Sequence, residues 1–171
     1  MTLPHTRHLD ALVAKYVLKL EDVRLGWAFG SDAQPQWSSN RDYYGRDYIY
    51  RAREATETDA GYERVPDYAS DGNAMLGLID WHETRGVYTA TQHCQDEHGR
   101  SKHVSATNIE LRLRGIGRAN TLPEAACWAY LDLETVVKRW DGDQSFDVRR
   151  ELQRLEDAYQ EAINQKGVEH A

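Results

Sequence analysis

The chain has 171 residues, enough for one domain of ordinary size with an appendage. Its formal net charge of -7 argues against a general DNA- or RNA-binding protein, and its two cysteines are too few for a disulfide framework. No apolar run approaches the roughly 18 residues that span a bilayer, and the first ten residues lack the apolar centre of a signal peptide. We therefore expect a cytoplasmic protein that makes no membrane contact.

The amino-terminal part predicts one helix and two strands. Apolar residues recur at helical spacing from His8 to Leu20, and they alternate as in a strand from Val23 to Phe29. Residues 31–40 have the composition of a loop, and Tyr44 to Arg53 predict a second strand. Glu54 to Pro66 is then expected to form a long acidic connection.

The middle of the chain predicts a helix followed by two more strands. Ser70 or Asp71 can cap a helix that runs to about Thr84. The expected strands are Val87 to Cys94 and His103 to Leu113, separated by a polar turn. In the second of these strands, the side chains expected to face inward are Ile109, Leu111 and Leu113.

The carboxy-terminal part is expected to be helical. Thr121 and Glu124 have the spacing of a capping box, and a second amphipathic helix is predicted from Ser145 to about Asn164. We expect an α+β fold, an α-β-α sandwich with a mainly antiparallel sheet of about four strands. Residues 1–140 would form this domain, and residues 141–171, with eight acids against four bases, would form an acidic helical extension.

Three segments of the chain resemble the phage ABA-sandwich family, small tailed-phage proteins without a settled activity. The segments are Leu9-Asp10-Ala11-Leu12-Val13-Ala14, Tyr68-Ala69-Ser70-Asp71-Gly72-Asn73-Ala74 and Thr121-Leu122-Pro123-Glu124-Ala125-Ala126-Cys127. The resemblance implies an α-β-α layered domain and a phage protein that acts in an infected bacterial cell. It transfers no catalytic residue, because the family pattern offers none.

Three groups of polar residues have side chains that could support chemistry. A zinc site built from the histidines and cysteine around the polar turn Asp96 to Lys102 lacks a paired-cysteine anchor, and a solvated hairpin turn is the preferred interpretation. Its candidate ligands are His93, Cys94, His98 and His103. The Asp141 to Asp147 segment lacks the glycine and glutamate of a calcium loop, and His82 fits a packing role. We expect no catalytic residue, no metal and no cofactor.

Residues 40–53 read NRDYYGRDYIYRAR, with four tyrosines and four arginines. On a strand, one face would carry Tyr44, Arg46, Tyr48 and Tyr50, and Arg51 would lie on the other. Tyrosine rings can stack on a base and arginine can bind phosphate, so these five are the expected ligand-binding residues. The alternative is an ordinary strand, because tyrosine favours strands and arginine stacks on it within the same chain.

The favoured function is a non-enzymatic phage accessory protein that interferes with host defence by sequestering a small nucleotide-type signal. One alternative is an inhibitor of a host protein that uses the acidic tail or aromatic residues such as Trp37 and Trp81. The other is an enzyme of unknown reaction. The expected partners are a nucleotide-type ligand or a host protein, with a possible homo-oligomer and no general nucleic-acid binding.

Overall fold

The computed structural model describes residues 3–27, 46–58, 60–96 and 99–169, apart from the side chains of Trp27, Arg46, Asp96 and residues 166–169. The fold is α+β, as predicted. Its helices are α1 (His5–Leu12), α2 (Gly72–Glu83), α3 (Leu122–Trp140) and α4 (Val148–Glu169). Its strands are β1 (Glu21–Trp27), β2 (Arg46–Arg51), β3 (Tyr62–Arg64), β4 (Val87–Asp96), β5 (Gly99–Asn108) and β6 (Leu113–Ala119).

The described strands form two antiparallel sheets in place of the expected single sheet of about four strands. One sheet has the order β1-β2-β3 and the other has the order β4-β5-β6. The strand count was underestimated because the acidic connection contains β3 and because one expected strand is the end of β5 plus the start of β6. An α-β-α sandwich is not confirmed by this arrangement.

A tight turn at residues 109–112 divides β5 from β6. The side-chain oxygen of Asn108 accepts a hydrogen bond from the Leu111 amide at 2.9 Å, and Arg112 adopts a left-handed conformation with φ 56°. Ile109 and Leu111 are 55% and 40% exposed, so the prediction that they face inward is wrong. The alternation of residues 109–113 resembled a strand, but the asparagine closes a turn at that point.

Strand β6 contains Gly115 and Gly117 because helix α3 crosses it at very short range. A β-carbon on Gly117 would lie 1.9 Å from the carbonyl oxygen of Ala125 and 2.4 Å from the amide nitrogen of Ala129. A β-carbon on Gly115 would meet the same helix backbone at 2.2 Å. The two glycines therefore provide space for α3, whereas the sequence predicted no strand after Leu113.

The first helix widens and ends earlier than its apolar spacing predicted. Residues 13–17 form a π-helical turn, in which the Leu18 amide donates to the Val13 carbonyl at 2.9 Å. Lys19 then adopts a left-handed conformation with φ 54°, and β1 begins at Glu21. This ending places Lys19 beside the second half of α3.

A buried ionic network joins α1 to β2 and to the segment before α2. Arg7, 3% exposed, donates to Asp47 at 2.8 Å, to Asp10 at 2.8 Å and to Asp67 at 3.0 Å. Its guanidinium also donates to two backbone carbonyl oxygens, and Arg64 donates to Asp47 at 2.6 Å. Asp47, from the tyrosine- and arginine-rich stretch, is thus a structural residue.

The three segments that carry the family resemblance meet in the core. The Asp10 carboxylate of the first segment accepts a hydrogen bond from the Ala69 amide of the second at 2.7 Å. Leu9, Ala69 and Cys127 are all at most 1% exposed and belong to one cluster of buried side chains. These segments therefore act through packing and a buried hydrogen bond.

Helix α4 docks on its own chain through its apolar stripe. Leu152 and Tyr159 are buried, and the Tyr159 hydroxyl accepts a hydrogen bond from the Leu3 amide at 2.9 Å. The Tyr16 hydroxyl donates to Glu151 at 2.6 Å. Residues 141–171 were expected to be an acidic extension, and their described helix packs against α1. No helix in the described part of the chain is both long and apolar enough to cross a membrane.

Candidate ligand groove

The residues expected to bind a ligand do not form one accessible face among the described residues. Tyr44 lies outside the described residues, as does the side chain of Arg46. Tyr48 is 1% exposed and its hydroxyl is 2.7 Å from Nδ1 of His8, so it belongs to the core. The structure thus corrects the expectation that Tyr48 presents its ring to a ligand. Packing of α1 against β2 covers this residue.

Tyr50 and Arg51 are accessible but are held by neighbours on the sheet. The Tyr50 hydroxyl donates to Glu63 at 3.3 Å, and the Arg51 guanidinium donates to the Tyr62 hydroxyl at 3.0 Å. Arg51 also lies 5.1 Å from the centre of the Tyr62 ring. This intramolecular stacking fits the alternative of an ordinary strand, and the ligand-binding role of Tyr50 and Arg51 stays a prediction.

The described histidine and cysteine candidates on the β4-β5 hairpin do not converge on one point. His93 Nδ1 accepts a hydrogen bond from the Lys102 ammonium at 2.6 Å, and His98 lies outside the described residues. Within the described ranges, no group of three or more histidine, cysteine or acidic side chains could hold a metal ion. Cys127 is fully buried, and its burial raises the pKa of the thiol.

A groove between α2, α3 and the π-helical turn is the better candidate site, and we call it the α2–α3 groove. It encloses about 410 Å³, within the size range of small-molecule sites. It is lined by Val17, Leu18, Lys19, Trp81, His82, Arg85, Val87, Asn108, Tyr130, Leu133, Glu134 and Val137. These residues come from the π-helical turn, α2, β4, β5 and α3 or from the loops that follow them, and most of the lining is apolar or aromatic.

Two stacked rings contribute to the buried part of the groove. The rings of His82 and Tyr130 are 3.7 Å apart and nearly parallel. His82 Nδ1 lies 2.8 Å from the Leu78 carbonyl oxygen, so this nitrogen carries the proton and donates. Burial lowers the pKa of His82 to about 4. A neutral imidazole protonated at Nδ1 keeps Nε2 as an acceptor.

The exposed part of the groove carries two cations. The Arg85 guanidinium lies 3.8 Å from the centre of the Trp81 ring and donates to the Trp81 carbonyl oxygen at 2.9 Å. These contacts fix the guanidinium over the indole ring. Lys19 supplies the second cation from the end of the π-helical turn.

One carboxylate, that of Glu134, lies in the same groove. Burial raises its pKa, whereas Lys19 and Lys138 act in the opposite direction. The charged lining therefore comprises Lys19 and Arg85 against Glu134, an excess of one positive charge at neutral pH. Such a groove can accept an anion at Lys19 and Arg85 and a hydrogen-bond donor at Glu134.

A larger groove of about 540 Å³ lies between the edge of β6, α3 and the start of α4, but its charges balance. Its charged side chains, apart from His5, are Arg118, Arg139, Arg149, Glu124, Asp132 and Asp147. Two of the acids have structural roles, because Asp132 accepts from the Ile116 amide at 2.8 Å and Asp147 accepts from the Arg150 amide at 3.0 Å. We therefore favour the smaller groove.

The lowered pKa of His82 predicts a pH-dependent stability. The unfolded chain binds a proton at this residue below about pH 6.5, whereas the folded chain does so only below about pH 4. Stability supplied by neutral His82 is thus present above about pH 6.5 and is lost as the pH falls toward 4. In urea unfolding, the free energy of unfolding of the wild type minus that of His82→Phe should rise by up to about 3 kcal/mol as the pH increases from about 4 to about 6.5. A difference that stays constant with pH would contradict the assignment.

Part of this groove could be predicted from the sequence. Trp81 lies in the predicted helix and Arg85 follows its expected end at about Thr84, so a four-residue spacing places the two side chains close together. His82 was expected to be a packing histidine, and its burial at 5% exposure confirms this. The approach of Lys19 and Glu134 depends on the packing of the π-helical turn against α3 and left no signal in the sequence.

Comparisons with protein-family models, with curated proteins and with solved structures found no match to this chain. The geometry of the groove and the residue pattern of the chain are therefore the observations that bear on its function.

Proposed function

We propose that the protein is a non-enzymatic binding protein that holds a small nucleotide-type anion in the α2–α3 groove. The observation that supports this most is the combination in one groove of two cations, Lys19 and Arg85, with the His82–Tyr130 ring stack. A nucleotide has matching parts: a phosphate for the cations, and hydroxyl or amino groups that can donate to Glu134 and to a neutral His82. Apolar walls favour its ring.

The state of the ionisable side chains favours binding over catalysis. His82 holds its proton on Nδ1 through Leu78, and burial raises the pKa of Tyr130 to about 12. Neither group titrates near neutral pH, where a general acid or base works best. The alternative of a host-protein inhibitor has less support, because Trp81 lies beneath Arg85, the described part of the tail helix is docked, and Trp37 is outside the described residues.

The biological role in this proposal is that of a phage accessory protein that withholds a nucleotide signal from host defence. This part depends on the resemblance of three segments to the phage ABA-sandwich family. The hydrogen bond between the Ala69 amide and Asp10 joins the first two of these segments, which is consistent with one shared structural unit. Sequestration requires only binding and release of an unchanged molecule.

Calorimetry with a panel of cyclic and linear mono- and dinucleotides tests the proposal. We expect at least one to bind, and the double replacement Lys19→Gln with Arg85→Gln to weaken its affinity by about tenfold or more, because two charged phosphate contacts are lost. Arg51→Gln is the matched control, since Arg51 is an accessible arginine of the other sheet and should leave the affinity unchanged.

Three outcomes would contradict the proposal. Absence of binding across the panel would exclude nucleotide sequestration. Loss of affinity in the Arg51 variant alone would show that the binding site lies on β2. Recovery of a chemically altered nucleotide after denaturation of the complex would show that the protein is an enzyme.

A further inference from the structure

Strand β4 is an edge of its sheet, and among the described residues its backbone pairs with β5 alone. The amide of Ile109 donates to the Gly86 carbonyl at 3.1 Å, and Val87 lies opposite Asn108. Because hydrogen-bonded and non-hydrogen-bonded pairs alternate in an antiparallel ladder, the even-numbered residues of β4 bond to β5. The outward backbone groups are those of Val87, Thr89, Thr91, His93 and Gln95.

The opposite edge of the sheet supports this assignment of direction. The same alternation applies to the pairing of β5 with β6, and it directs the Ile116 amide of β6 away from the sheet. That amide donates to the Asp132 carboxylate of α3 at 2.8 Å, as an outward group should. The outward backbone groups of β4 therefore follow from the register of the whole sheet.

The other described edges carry features that prevent pairing with another chain, and β4 does not. Strand β6 is capped by Asp132 and bears two arginines, β1 has a bulge between Glu21 and Arg24, and β3 has only three residues. Strand β4 has 10 residues, and from Val87 to Gln95 it contains no proline, glycine, lysine, arginine or acid. Such an edge is a template for strand addition.

We propose that β4 pairs with β4 of a second copy of this chain, in antiparallel orientation about a two-fold axis. The two three-stranded sheets would join into one sheet of six strands, and each outward amide would meet a carbonyl of the other copy. Because residues 87–95 contain no lysine, arginine, aspartate or glutamate, antiparallel pairing of this stretch with itself sets none of these charges opposite each other, which favours a second copy as the partner.

In the proposed register, the two-fold axis passes through the Thr91–Thr91 pair. It sets Thr89 opposite His93 of the second copy and Tyr88 opposite Cys94, so the pairing covers the exposed Tyr88 ring. Tyr88 is 62% exposed in the single chain. The dimer is a separate proposal from the nucleotide groove, and neither requires the other.

The mass of the protein in solution tests the dimer. Sedimentation equilibrium from about 1 µM to about 200 µM should approach twice the 19.7 kDa chain mass. Thr91→Lys places two like charges near the axis, and Thr91→Pro removes an outward amide without loss of a bond to β5. Both variants should remain near the single-chain mass. Ile116→Lys, an exposed position on the opposite edge, should leave the dimer intact.

Hydrogen exchange tests the dimer in the wild-type protein, so its result does not depend on whether a variant folds. In the wild-type protein, the amides of Thr89, Thr91 and His93 should exchange more slowly as the concentration rises, whereas Ala90 and Gln92 should be protected at every concentration. A single-chain mass throughout the range would overturn the proposal. A dimer that persists in Thr91→Lys, or that separates in Ile116→Lys, would overturn it as well.

Discussion

Replacement of Arg7 by methionine should lower the free energy of unfolding by about 3 to 5 kcal/mol. The guanidinium makes hydrogen bonds to three carboxylates and two backbone carbonyls, and the side chains of Asp10 and Asp47 are 0% and 10% exposed. Methionine fills a similar length but leaves the Asp10 carboxylate in the core without the Arg7 counter-charge, and it leaves Arg64 as the remaining ion-pair partner of Asp47. Urea unfolding at neutral pH measures the loss.

The pH dependence of this loss identifies its cause. Burial raises the pKa of Asp10 to about 6, while the Ala69 amide and Arg7 oppose that rise. Without Arg7, the pKa of Asp10 should rise further, so protonation at about pH 5 should relieve part of the penalty. The loss should therefore be smaller at about pH 5 than at about pH 7. An equal loss at both values would assign it to packing alone.

An exposed ion pair provides the matched control for Arg7. Arg53 and Glu63 form a 2.8 Å pair with side chains 50% and 52% exposed. Arg53→Met should change stability by less than about 1 kcal/mol, because water screens the pair. A loss below about 1 kcal/mol for Arg7→Met as well would show that the buried network does not stabilise the fold.

Replacement of Gly117 by alanine should cost about 3 kcal/mol, because the added methyl group overlaps the backbone of α3. The nearest atoms, the Ala125 carbonyl oxygen and the Ala129 amide nitrogen, belong to a helix that has to move away from the sheet as a unit. A thermal melt followed by circular dichroism measures the change.

Gly77→Ala is the opposite case and serves as the control. Gly77 is an exposed glycine inside α2, and a β-carbon there would meet nothing within 4 Å. Alanine should stabilise the helix by about 0.5 to 1 kcal/mol, because it lowers the entropy of the unfolded chain. If both replacements shifted the melting temperature alike, the close approach of α3 to β6 would be refuted.

The sequence alone determined the features that depend on local spacing and on short-range hydrogen bonds. The α+β class and the helix caps at Asp71 and Thr121 were predicted, and in the structure these side chains accept from Asn73 and Glu124. The packing role of His82 and the amphipathic character of the last helix also followed from local patterns. Each of these features involves residues at most a few turns apart in the chain.

Only the tertiary structure decided which side chains share a site. It places Tyr48 in the core against His8 and makes Asp47 an ion-pair partner of Arg7. It packs α3 directly on the two glycines of β6. It also brought Lys19 and Glu134 into one groove. Their meeting depends on how separate elements pack, because the free energy of such contacts is set by burial and close approach between distant segments, which no local pattern encodes.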